Sequence, residues 1–361
     1  MINEGRLLDT FLGLVRIDSP SGEEAAIAQE LSARLRGLGL AVELDGMNNV
    51  VARLPGRGNP LLLAAHMDTV RPGVGVKPVV RDGVVCSDGT TVLGGDDKSG
   101  VAIILEAVEC LVEGKLPHPP LEVVLTVQEE VGLLGAKGLD QSRLRAKTGI
   151  SFDCGGAPGT VVVDTPTHDS VSAVVHGKAA HSGTRPEDGV NAILVAAEAL
   201  VSMPLGRIDE ETTANFGTIR GGTATNIVPD LVELRGEARS RQLAKLEAQT
   251  AAMVGALKDA AEHHGASVEV DVKREYDGYT LTDADPIVAA LMDACRAVGV
   301  EPRLLPTGGG SDANIFNAAG IQVANLSPGM SKVHTTEECV AVSDMVTCAE
   351  IALNCIQGLT S

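Results

Sequence analysis

The chain has 361 residues, 44% hydrophobic and 2% aromatic, with no tryptophan and a formal net charge of −19. That length supplies a large core and points to two domains, while the acidity excludes nucleic acid and anionic membrane surfaces as partners, because both require a basic face. With so few rings, base- and sugar-stacking platforms are excluded as well. Residues 4–17 have helical periodicity, with Leu7, Leu8, Phe11, Leu14 and Val15 on one face. Ser19-Pro20 ends that helix, and Ser21 with Glu24 has the spacing of a capping box opening a second helix to about residue 38. Short strands are predicted at 42–44 and 50–54, then an apolar strand at 61–65 that runs into His66 and Asp68. Residues 79–82 and 84–86 read as a hairpin turning at Asp82-Gly83. The glycine-rich stretch 94–97 forms a loop carrying Asp96 and Asp97, and a helix follows from Ser99 to about residue 114. A strand at 121–128 ends in Glu129-Glu130, and a short one at 149–152 ends in Asp153. Strands alternating with helices predict an α/β domain, a mostly parallel sheet with helices on both faces.

From about residue 166 the rhythm changes. Residues 171–176, 214–220 and 231–239 alternate as antiparallel strands do, with helices at 190–203 and 242–264 and a last strand at 268–273. This is the pattern of an α+β domain with an antiparallel sheet, inserted at 166–278 between the two parts of the α/β domain, 1–165 and 279–361. The second part resumes with a helix at 285–298, a strand at 303–306, a helix at 312–319, a strand at 321–325 and a final helix from about residue 343.

The seven cysteines are scattered and never form a C-x-x-C pair, which predicts free thiols in a reducing compartment. The amino-terminal segment has acidic residues and no basic region before an apolar run, and no apolar stretch reaches membrane-spanning length. A cytoplasmic location without membrane contact is expected.

In open α/β sheets, ligands bind beyond the carboxyl ends of the strands. That is where His66, Asp68, Glu129, Glu130 and Asp153 fall, joined by Asp96 at a helix start and by His334 in a loop between the last strand and the last helix. Acids crowded at one sheet edge raise one another's pKa unless a cation holds them. Two histidines with several carboxylates suit zinc, and also cobalt or manganese. Competing motifs fail. In GGDDKS, Asp97 stands where a phosphate loop needs the glycine before its lysine, and neither H-E-x-x-H nor G-x-S-x-G occurs. GGGSDAN lacks the full spacing of a dinucleotide loop.

HMDT at 66–69, GGDDKSG at 94–100, QEEVGLLGAKG at 128–138, SFDCGG at 151–156, GKAAHSG at 177–183 and VHTTEE at 333–338 resemble, in the same order, the motifs of the di-zinc peptidase family. That family includes peptidase T, carboxypeptidase G, aminoacylase and succinyl-diaminopimelate desuccinylase, and HMDT with QEEVGLLGAKG looks most like its peptidase T branch. The resemblance implies that His66 and Asp153 hold one zinc, Glu130 and His334 the other, and that Asp96 bridges them, with cobalt or manganese as substitutes. It implies Asp68 as the group orienting His66 and Glu129 as the general base that forms a metal-bridging hydroxide. The Asp96-Asp97 bond is cis in relatives. His181 matches a histidine that helps stabilise the oxyanion, often supplied by the partner subunit. Asn226, Arg239, Gly309, Gly310 and Ser311 match positions near substrate. Taken alone, Arg239 reads equally as a strand-end ion pair, Ser311 as a helix cap and His181 as a surface loop residue. Asp at position 153, where relatives vary between Asp and Glu, favours the aminopeptidase-like side of the family. The inserted domain resembles the family's lid and dimerisation domain, which implies a homodimer.

The expected activity is therefore zinc-dependent hydrolysis of short peptides by an aminopeptidase or tripeptidase. The alternative within the same chemistry is an N-acyl amino acid amidohydrolase, and a remote one is an inactive metal-binding module.

Overall fold

Two runs, Leu61–His66 and Leu121–Thr126, are buried at every residue in the computed structural model, which describes residues 1–360. Strands buried on both faces need helices above and below. The chain separates into two units. The first comprises Met1–Val163, Thr280–Pro306 and the residues from Ser311 on; the second comprises Asp164–Tyr279 and Thr307–Gly310.

The first unit begins with α1 (Glu4–Val15), α2 (Ala25–Gly37), β1 (Ala41–Leu44), β2 (Val50–Leu54), β3 (Leu61–His66), β4 (Val79–Arg81), β5 (Val84–Cys86), α3 (Gly95–Gly114), β6 (Leu121–Thr126), α4 (Leu134–Gly138), β7 (Thr148–Ser151) and β8 (Thr160–Asp164). The second unit holds β9 (Thr167–His176), α5 (Ala192–Ser202), β10 (Gly206–Arg207), β11 (Thr212–Gly221), β12 (Leu231–Ser240), α6 (Leu243–His263) and β13 (Ser267–Tyr276). The first unit resumes with α7 (Pro286–Ala297), β14 (Arg303–Pro306), α8 (Asp312–Ala318), β15 (Gln322–Leu326), β16 (Met330–Ser331), β17 (Cys339–Ala341) and α9 (Val342–Gly358).

The main sheet has the order β1-β2-β6-β3-β7-β15-β8-β14. Its central strands β6, β3, β7 and β15 run parallel, so their carboxyl ends share one edge. α1 buries Leu7, Phe11, Leu14 and Val15 and packs against α3. Each such side chain contributes roughly 1.5–3 kcal/mol by leaving water. α3 lies on β3 and against α9, and α9 packs on α7; α2 covers β1 and β2, and α8 covers β15 and touches α4.

β8 was not expected; it pairs antiparallel with β15. The β4–β5 hairpin belongs to a separate sheet of order β16-β17-β5-β4. β16 and β17 are two and three residues long, too short to show a period-2 pattern. Their presence moves His334 from the expected loop before the last helix to the loop between β16 and β17. The same small sheet corrects the reading of the cysteines. Cys86 and Cys339 face each other in the β5–β17 register and form a disulfide, across 253 residues of sequence, while Cys110, Cys154, Cys295, Cys348 and Cys355 are free thiols. The capping box is also replaced. α2 starts after Glu24, which makes no side-chain cap bond, and Ser21 has another partner.

In the second unit the strand order is β10-β11-β12-β9-β13, with antiparallel pairing throughout. α5 and α6 pack on each other and on this sheet, around Val171, Val175, Val195, Leu246, Met253 and Leu257. Among the described residues no helix is long and apolar enough to cross a membrane.

Candidate active site

The acids and histidines of the first unit converge because the parallel strands end together. β3 delivers His66, the turn after β6 delivers Glu129 and Glu130, and the turn after β7 delivers Asp153. Asp96 and Asp97 stand at the kinked start of α3, where their φ/ψ values (−81°, 105° and −116°, 31°) leave the helical region and the peptide bond between them is cis. His334 has a left-handed φ of 62°. A non-glycine residue holds that conformation at a cost of about 1 kcal/mol, and here it aims the ring at the acids.

Asp96 is the meeting point. Its Oδ1 lies 3.2 Å from His66 Nε2, and its Oδ2 lies 3.2 Å from His334 Nε2, which is also 2.9 Å from Glu130 Oε1. Potential ligand atoms of His66, Asp96 and Asp153 all lie within 4.8 Å of one another, as do those of Asp96, Glu130 and His334, and those of His66, Glu129 and Glu130. Asp68 ties the strand ends together. Its Oδ1 accepts the Glu129 N–H at 2.9 Å, and its Oδ2 accepts the Glu130 N–H at 3.3 Å and the Ser21 hydroxyl at 2.7 Å. His66 Nδ1 is 3.0 Å from the Asp68 backbone oxygen and 3.5 Å from Oδ1. Donation from Nδ1 leaves the Nε2 lone pair for a ligand on the Asp96 side.

The electrostatics follow from burial and crowding. Removal from water pushes the carboxyl of Glu129 well up, and the charges of Asp312, Glu130 and Asp96 add to it. Burial does the same to Asp153, reinforced by Glu129 and Asp96, and to Asp97, reinforced by Asp96. Burial opposes ionisation of Asp96 too, yet hydrogen bonds from His334 and His66 hold its pKa below the usual range. Hydrogen bonds to Asp96 and Glu130 push His334 up to about 10. His66 is raised despite burial, by Asp68 and Asp96. The site thus gathers more buried acidic groups than its two histidines can balance, and Asp97 Oδ2 has no hydrogen-bond partner among the described residues. Imidazoles and carboxylates with one acid shared between two groups are a fitting donor set for two divalent metal ions.

Three supporting residues escape sequence reasoning. Glu338, 1% exposed, accepts the N–H groups of Leu93 and Gly94 on Oε2 (2.7 and 2.9 Å) and of Asp96 on Oε1 (2.9 Å), so it anchors the loop that presents Asp96. Ser21 looked like a helix cap but holds Asp68. Asp312, which reads as an ordinary first-turn acid of α8, is buried, accepts a hydrogen bond from the Thr126 hydroxyl and is pushed up to about 6 by burial. The doubled acid in TTEE was the one signal for Glu338; its backbone partners lie more than two hundred residues away.

The remaining residues are distributed otherwise. His181, Asn226, Arg239, Gly309 and Gly310 belong to the second unit, and Ser311 to the first. His181 is exposed, and its Nδ1 accepts the N–H groups of Gly183 and Thr184, both at 3.2 Å; the adjoining Ser182 N–H donates to the Asn226 carbonyl at 3.1 Å. Arg239 pairs with Glu237 at 3.0 Å, and its Nε is buried without a hydrogen-bond partner among the described residues. Gly310 packs so tightly on the Tyr276 ring that a Cβ would collide with it. Ser311 caps α8 through a capping box with Asn314.

The sequence pattern of Peptidase family M20/M25/M40 matches residues 62–358. The chain superimposes on the crystal structure of aminopeptidase PepT from Bacillus cereus with a TM-score of 0.91 and 42% identity, covering 100% of both chains. A tripeptidase from Staphylococcus aureus gives a TM-score of 0.95 at 40% identity, covering 100% of this chain and 99% of the other. Peptidase T of Clostridium botulinum is 26% identical over 400 residues, covering 96% of this chain and 97% of its own. With a strand-edge cluster of candidate metal-ligand residues, a pattern match across most of its length and relatives at 40–42% identity, the chain belongs to peptidase family M20/M25/M40, as an enzyme of that family similar to its peptidase T branch.

Proposed function

We propose that the protein is a zinc-dependent aminopeptidase acting on short peptides, in which His66 and Asp153 would hold one ion, Glu130 and His334 the other, with Asp96 available to both. The observation that carries this reading is the orientation of Asp96, whose two oxygens face two different histidines. The aminopeptidase and tripeptidase activities named for the Bacillus cereus and Staphylococcus aureus relatives support the substrate class.

When bound, the metal pair supplies Lewis-acid chemistry, polarising the scissile carbonyl and making a water acidic enough to attack. Glu129 would take a proton from the attacking water at its carboxylate and return it to the leaving nitrogen, the role the family resemblance gives this residue. Asp68 fixes His66 through Nδ1 and holds the backbone of Glu129 and Glu130, so ligand and base move as one piece. The oxyanion role of His181 and the substrate contacts of Asn226 and Arg239, whose planar fork suits a carboxylate, are proposed on the family resemblance alone. Gly309, Gly310 and Ser311 are proposed on the same resemblance as positions near substrate.

The test combines metal counting with turnover. Chelator-treated protein should lose tripeptide hydrolysis and regain it with zinc. Glu129→Gln should keep both ions while turnover falls by roughly a hundredfold or more. His181→Ala should slow turnover with zinc unchanged. Retained turnover in Glu129→Gln would remove the base from this scheme, and loss of zinc in His181→Ala would remove the oxyanion role.

A further inference from the structure

The second unit contains another convergence of ligand groups. Glu198 on α5 faces the end of α6, where its Oε1 lies 2.7 Å from His263 Nδ1 and its Oε2 lies 2.7 Å from His264 Nε2. Successive residues of a helix point about 100° apart, so neighbouring histidines ordinarily diverge. Here His263 is the last residue of α6 and His264 its cap, at φ −92° and ψ 0°, and Gly265 turns the chain away at φ 65°. The two ring centroids come to 4.9 Å with a 48° tilt, and both rings reach one carboxylate.

We propose that Glu198, His263 and His264 form a further metal site, which binds one divalent transition ion such as Zn2+ and ties α5 to α6. One potential ligand atom from each residue lies within 4.8 Å of the other two. Metal–nitrogen and metal–oxygen bonds near 2.1 Å set tetrahedral ligand atoms about 3.4 Å apart, so modest side-chain rotation opens the present 2.7 Å contacts to accept an ion. Two imidazoles and a carboxylate are the donor set of zinc and its transition-metal neighbours, and a water completes the fourth position. Calcium and magnesium prefer all-oxygen shells and are excluded on that ground. Position adds to chemistry. The ion would sit at the carboxyl end of a 21-residue helix, where the macrodipole is negative, on a chain whose net charge is −19. Glu198 is already ionised-friendly, its pKa lowered by the hydrogen bonds from His263 and His264. None of these residues takes part in the site of the first unit.

The experiment is equilibrium dialysis of the whole protein against micromolar free Zn2+, with bound metal counted by mass spectrometry. Because the first unit also holds donor groups, the readout is a difference between proteins. The wild type should carry one more zinc per chain than His263→Ala/His264→Ala, and one more than Glu198→Ala. All three groups are partly or fully exposed, so these changes leave the fold intact, and tripeptide turnover should be the same in all three proteins. A parallel melt should show zinc raising the midpoint further in the wild type than in either variant. Equal zinc content in the three proteins would overturn the proposal. So would an equal loss in variants accompanied by loss of turnover, since the missing ion would then be one from the first unit.

Discussion

At the scale of single residues, the acids and histidines at strand ends were legible because each interrupts or ends an apolar run. His66 follows five buried residues, and Asp153 follows Ile150, Ser151 and Phe152, all buried. A polar side chain in such a place has to be partnered, which makes it conspicuous. Glu338 shows the opposite case. Its partners are three backbone N–H groups, which leave no trace in a sequence, so its role emerges only from the fold. Its carboxylate oxygens accept all three bonds at once, and an amide cannot do so. Glu338→Gln should therefore turn an N–H group toward the Asp96 N–H. The cost should be about 1.5–3 kcal/mol of stability, with weaker metal retention during dialysis. An unchanged melting midpoint and unchanged metal content would show that the anchor is dispensable. Arg239 resisted for another reason: an arginine at a strand end fits an ion pair and a substrate contact equally, and in the structure it has a partner in Glu237 and a buried Nε with none among the described residues.

At the scale of elements, long strands and helices were readable from their periods, and short ones were not. β16 and β17 carry five residues between them, yet they complete the small sheet and position the loop of His334. The Cys86–Cys339 bridge was invisible for a related reason, since a register between two short strands 253 residues apart has no sequence signature. The antiparallel sheet of the second unit has a pH dependence whose sign follows from one group. On β12, Glu237 is held down to about 2, first by the His168 ring, whose Nε2 lies 3.2 Å from its Oε2, and further by Arg239. An acid with a depressed folded pKa stabilises the fold above its unfolded value of about 4.3, and that contribution disappears as pH falls toward 2. The pair is partly exposed, so solvent screens much of the effect. In urea unfolding, the stability gap between wild type and Glu237→Gln should be larger at about pH 6 than at about pH 3. A gap independent of pH would mean that Glu237 has the same pKa folded and unfolded.

At the scale of the whole molecule, a resemblance in ordered motifs pointed to a family, and the match over residues 62–358 with relatives at 40–42% identity shows it. Assembly is a separate matter. On α5, Leu194 and Val201 lie on one exposed face, at 57% and 88% exposure, which is costly for a helix with no partner. We propose a homodimer that uses the second unit, and sedimentation should give twice the chain mass of 37.2 kDa, with Leu194→Asp/Val201→Asp shifting it to the monomer. A wild type that sediments as a monomer at micromolar concentration would contradict this. The substrate remains the central point, because the same metal chemistry serves peptides and N-acyl amino acids alike. The direct measurement is to give the zinc-loaded protein a tripeptide with a free amino terminus and, separately, an N-acetyl amino acid, and to identify the products. Release of the amino-terminal residue from the tripeptide, with little action on the N-acetyl compound, is the expected result; cleavage of the N-acetyl compound alone would contradict an aminopeptidase.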